Sequence, residues 1–178
     1  TDHPMSVRQA VDHLEELGHR RITYLAGPEA AWANGMRWRT LRTYAAEHDL
    51  QVHRLGPYSP TVAGGVRAAM DFAQQRTTAV IAYNDLIAIG FINRLTAMGA
   101  SLPGDVSVVG FDNIFTSALV TPGLTTVAPP LRTLGAMAVQ NLLAIIGGAH
   151  ASTGHPLALP TRLFVRDSTD RVKTRRSA

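Results

Sequence analysis

Three polar groups in this chain could bind a small hydroxylated molecule: Arg37, the pair Asn84-Asp85, and Asp112. Each stands at or beyond the end of a short apolar run, respectively residues 22–25, 78–83 and 106–111. Arginine offers only donors, a carboxylate only acceptors, and asparagine both, so together they can satisfy hydroxyl groups that donate and accept at once. If the runs are parallel strands, their carboxyl ends share one edge of a sheet, which is where ligands bind in open α/β folds. The grouping predicts a small-molecule sensor or binding domain.

Each residue also has a plainer reading. Asn84 or Asp85 can cap the helix that follows, and Asp112 can cap a turn over residues 113–117. Arg37 is expected near the start of a helix, where its charge opposes the helix dipole, so its position lacks a purely local reason. Trp32 and Trp38 flank it, and Tyr58 lies in a Gly/Pro-rich loop. Aromatic faces stack on sugar rings but equally anchor cores. Trp32, expected in the loop itself, is the preferred contact.

Other chemistries find no pattern. Seven histidines show neither His-x-x-x-His nor His-Glu-x-x-His spacing, and there is no cysteine, so no metal site is expected. Gly-x-Ser-x-Gly, Gly-x-Gly-x-x-Gly and Walker-type loops are also lacking, so no catalytic residue and no cofactor are expected. The chain reads as a non-enzyme.

The elements that must position these residues follow from periodicity. Val7, Ala10, Val11, Leu14 and Leu17 recur at helical spacing, closed by Gly18. Strands are expected at 21–26, 51–55, 79–83, 106–111 and 124–127, with helices over about 36–49, 62–75 and 85–98 between them. Strands joined by helical crossovers run parallel, which gives an α/β doubly wound parallel sheet. Residues 131–146 form a helix so apolar that it must be covered on most sides. A small polar loop over 147–154 and a last strand at 163–165 complete the reading.

At 178 residues, 46% apolar and 17% charged, the chain suits one globular core. Its lack of cysteine fits a cytoplasmic setting, and no stretch approaches the ~18 apolar residues of a membrane span. The net charge of +4 gathers in the last eight residues, at Arg171, Lys173, Arg175 and Arg176, which reads as a solvated tail rather than a nucleic-acid surface.

Taken together, Leu17-Gly18-His19-Arg20-Arg21-Ile22, Leu25-Ala26-Gly27-Pro28, Ala82-Tyr83-Asn84-Asp85, Ala88-Ile89-Gly90, the run from Pro103 to Asn113 and the run from Thr121 to Val127 resemble the lactose/galactose-repressor family of bacterial transcription regulators. The resemblance implies a periplasmic-binding-protein-like (type I) effector domain, of which this chain is the C-terminal subdomain. It divides the chain into the subdomain itself at 1–130, a helix and loop at 131–158 that pack on an N-terminal subdomain, and a return strand with basic tail at 159–178. Effector contacts are implied at Arg37, Asn84 and Asp112, and a homodimer interface at Ile89 and Val120. Pro129 and Thr40 depart from the family's glutamine and glycine. The implied partners are a small-molecule effector, a sugar or related metabolite, and operator DNA through a helix-turn-helix domain outside this chain. A lobe of an extracytoplasmic sugar-binding protein of a transporter is the alternative.

Overall fold

The computed structural model describes residues 2–75, 77–148 and 158–172. Its strands are β1 (Arg21–Leu25), β2 (Gln51–Leu55), β3 (Ala79–Ala82), β4 (Ser107–Phe111), β5 (Thr125–Ala128) and β6 (Arg162–Phe164). They form one sheet in the order β2-β1-β3-β4-β5-β6. The first five are parallel, and β6 returns antiparallel to β5. All five residues of β4 are buried, as a strand covered on both faces requires.

Alternation along the strands feeds two cores. Ile22 and Tyr24 of β1, Ile81 of β3 and Phe111 of β4 face α1 (His3–Glu16) and α2 (Trp32–Glu47), meeting Val7, Val11, Leu14 and Leu41. Leu25, Val80 and Val108 face the other way, onto α3 (Val62–Phe72) and α4 (Asp85–Ala97). There the helices touch backbone to backbone. A Cβ on Gly65 would lie 2.1 Å from the Ile87 carbonyl oxygen, and one on Gly90 would lie 2.0 Å from that of Val62.

Three expectations change. The second helix begins at Trp32 rather than near Met36, because Asn34 turns inward and holds the first turn although Ala31, at the N-cap, offers no side-chain bond. The third helix stops at Phe72, short of residue 75. The segment after β6 is no solvated tail as far as Val172. Ser168 is fully buried, donates to the Val108 carbonyl at 2.6 Å and accepts from Thr125 N–H at 2.8 Å. Asp170 N–H meets Ser107 Oγ, and Val172 N–H meets the Leu17 carbonyl. Residues 165–172 thus form a strap under the amino ends of the strands. Lys173, Arg175 and Arg176, and most of the expected 147–154 loop, lie outside the described residues.

Helix α5 (Leu131–Ile146) forms where expected, but none of its residues is buried. Leu131, Leu143 and Ile146 are each more than 60% exposed.

Candidate functional site

Arg37 lies inside the carboxyl edge of the sheet. Its position depends on Asn34, one turn earlier in α2, whose Oδ1 accepts from Gly27 N–H and from the Tyr24 hydroxyl, both at 3.0 Å. This ties the helix start to the end of β1. Gly27 is required there, since a Cβ would come within 2.4 Å of the Tyr83 ring. Trp38 stacks on Tyr24 from the next position, with centroids 5.9 Å apart, so it is an anchor of α2.

With the helix held, the Arg37 side chain is buried over the Phe111 ring, its guanidinium carbon 4.1 Å from the centroid and 5.3 Å from that of Tyr83. Nη1 donates to the Tyr83 carbonyl. Nη2 faces Asp112 Oδ1 at 3.6 Å, an ion pair longer than a hydrogen bond. Nε is buried without a hydrogen-bond partner among the described residues. The location explains this cation better than the expected opposition to the helix dipole, because Arg37 is the sixth residue of α2, beyond the first turn.

Asp112 follows β4 with φ +100°, and Asn113 with φ +49°. Left-handed backbone at consecutive non-glycine residues costs energy and gathers at ligand clamps. Burial pushes the Asp112 carboxyl above its ordinary range, and the Arg37 charge pulls it back only in part. Its side chain is 42% exposed, so one carboxylate face is open to a ligand.

Asn84 and Asp85 divide their tasks. Asn84 caps α4, accepting from Ile87 N–H at 3.0 Å and donating to the Pro60 carbonyl at 3.3 Å, which leaves one amide hydrogen and one lone pair. Asp85 is fully buried and offers nothing to a ligand. It accepts from the Ser117 and Thr126 hydroxyls, each at 2.6 Å, and from Ile114 N–H at 3.0 Å. It thereby organises the turn expected of Asp112, and burial raises its pKa to about 6.

The remaining candidates are scattered. Tyr58 N–H bonds the Ala26 carbonyl at the edge, but its ring is buried and its hydroxyl donates to Asp71 at 2.9 Å, away from Arg37. A depression of about 460 Å³ beside it, lined by Ser59, Arg67 and Asp71, includes neither Arg37 nor Asp112. Trp32, exposed at the first position of α2, packs against His3. Ile89 is buried in the α3/α4 core of its own chain, and Val120 packs against that core. Phe115 and Leu119, in and beside the short 3₁₀ turn Phe115–Ala118, carry the exposed apolar surface of this region instead. Among the described residues no group of three or more His, Asp or Glu could hold a metal ion.

Sequence reasoning passed over Asn34, Phe111 and His3. Asn34 precedes Arg37 by three positions and Phe111 precedes Asp112 by one, so helical and adjacent spacing carried a signal for both.

A mostly parallel sheet thus carries a buried arginine facing a half-exposed aspartate at its carboxyl edge. The periplasmic binding protein-like domain family matches residues 11–169, and the chain belongs to that family. Over this stretch it corresponds to the effector-binding portion of lactose/galactose-repressor-type regulators. It is 35% identical over 175 residues to the lactose operon repressor of Klebsiella pneumoniae, covering 94% of this chain and 47% of that protein. It superposes on a dimeric lac repressor with a C-terminal deletion at TM-score 0.88 and 30% identity, covering 96% of this chain and 63% of that one. A LacI family transcriptional regulator from Enterococcus faecium with bound ribose gives TM-score 0.88 and 30% identity, covering 97% and 65%. The chain spans about half the length of the curated relatives it matches.

Proposed function

We propose that this chain is the C-terminal part of the sugar-sensing effector domain of a cytoplasmic bacterial transcription regulator, and that it is not an enzyme. The observation that carries the reading is the Arg37–Asp112 pair. A sugar hydroxyl can accept from Nη2 and donate to Oδ1 at once, joining two groups that stand too far apart to hydrogen-bond each other. Asn84 supplies a further amide hydrogen on the same edge.

Helix α5 supports a second lobe, since an apolar helix with no buried residue calls for a covering surface. A sugar that favours one arrangement of the two lobes shifts the DNA-binding equilibrium by its differential affinity for the two states. Operator contact then falls to a helix-turn-helix module outside these residues, in a homodimer. That the relatives are regulators favours this reading over a transporter's binding lobe.

The test is operator binding by the complete protein, measured by fluorescence anisotropy on DNA from its own promoter region. A cognate sugar is expected to change the affinity by about tenfold or more, and Arg37→Ala to abolish that response. DNA affinity indifferent to every sugar would contradict the proposal.

A further inference from the structure

Two consecutive left-handed residues, Asp112 and Asn113, follow β4, and their surroundings must hold them there. Asp112 N–H donates to the Val127 carbonyl at 3.0 Å, which fixes the peptide entering the pair. Asn113 N–H reaches Thr126 Oγ1 at 3.3 Å, a long hydrogen bond. The Asn113 side chain is gripped more firmly, its Oδ1 accepting from Arg166 Nη2 at 2.8 Å.

Arg166 enters the strap beside the first residue of β5, its own N–H donating to Thr125 Oγ1 at 2.9 Å. Nη1 donates to the Leu124 carbonyl at 2.6 Å. One arm of the fork is thus tied to the segment leading into β5, while the other crosses to the turn after β4. A guanidinium keeps its donors in one plane, so the first arm aims the second. Both arms end on neutral oxygens, and the Arg37–Asp112 pair gives this half-buried cation no task of its own.

Asp112 and Asn113 share a peptide plane. If Asn113 relaxes to the ordinary negative φ, that peptide swings, and the Asp112 carboxylate leaves its place 3.6 Å from Arg37 Nη2. Resting on the sugar-binding reading above, we propose that Arg166 is a positioning residue for the sugar, holding Asp112 toward Arg37 through Asn113 without touching the sugar itself.

Titration calorimetry of the complete protein tests this, with whichever of ribose, galactose, glucose, lactose and maltose binds the parent most tightly. Arg166→Met keeps the stem and removes the fork, and should weaken binding about tenfold at unchanged stoichiometry. A purely structural loss would instead lower the stoichiometry and leave the affinity of the folded molecules as it was. Asn113→Ala breaks the same contact from the other side and spares the Leu124 and Thr125 anchors, so it should weaken binding similarly even where Arg166→Met fails to fold. The double variant should bind no more weakly than the worse single one, and in an Asp112→Ala background Arg166→Met should change affinity by less than about twofold. Parental affinity in both single variants, or equal losses with and without Asp112, overturns the positioning role while the sugar reading stands. Failure of all five sugars to bind the parent overturns both.

Discussion

The Ser117 hydroxyl donates a 2.6 Å hydrogen bond to the fully buried carboxyl of Asp85, joining the turn after β4 to the first residue of α4. Gly110 makes room for it, since a Cβ there would lie 2.2 Å from Asp85 Oδ1. With its pKa raised from 3.8 to about 6, Asp85 holds more proton in the folded than in the unfolded chain between those values. Its contribution is therefore fully present below about pH 3.8 and falls as pH rises through 6, by about 3 kcal/mol in all. Asp85→Asn, neutral throughout, should remove that slope in urea melts taken from pH 4 to 7. An unchanged slope would show that Asp85 does not titrate there.

His19 produces the opposite slope. It is buried under the strap, with Nδ1 2.9 Å from Thr78 Oγ1 and Nε2 3.0 Å from both Ser107 Oγ and the Asp170 carbonyl. Burial lowers its pKa below 6.5. The unfolded chain then binds the extra proton, so stability is present above pH 6.5 and is lost as pH falls through the lower folded value. The hydrogen-exchange protection of the Ser168, Asp170 and Val172 amides, relative to the slower intrinsic exchange at each pH, should fall on acidification, and His19→Gln should suppress that fall.

At the α3/α4 crossing, Gly65→Ala and Gly90→Ala each force a methyl group into a carbonyl oxygen of the facing helix. Each should cost about 1–3 kcal/mol, the scale of core overpacking, and lower Tm. A melting temperature within a degree of the parent would mean that the helices stand further apart.

The 178-residue chain should self-associate, because Leu131, Leu142, Leu143 and Ile146 of α5 are each more than half exposed. Light scattering over a dilution series should show mass rising with concentration. Leu142→Gln with Ile146→Gln should return a monomer, and a monomeric parent at tens of micromolar would show that the chain covers this helix itself.

Much of this architecture was legible in the sequence. The apolar run at 106–111 and the punctuating Gly18 marked a strand and a helix end because those signals are local. So was the meeting of Arg37 with Asp112, since both follow parallel strands and must share an edge. Side-chain direction was not. Tyr58 sits in the expected loop, yet its ring turns into the core toward Asp71. The start of α2 was hidden because its stabilising polar group, Asn34, lies inside the first turn rather than at the cap. The strap was hidden because Ser168, Thr169 and Asp170 are polar, and only their bonds to Val108, His13 and Ser107 make them interior.

Arg37 and Asp112 are proposed to grip a sugar together. Hydrogen bonds to charged groups contribute about 1.5–3 kcal/mol each, so losing either partner should weaken binding about ten- to a hundredfold. Titration calorimetry of the complete protein with its cognate sugar, comparing the parent with Arg37→Ala and Asp112→Ala, measures this directly. Loss of that size in both variants is the predicted result, and parental affinity in both would contradict the assignment of the site.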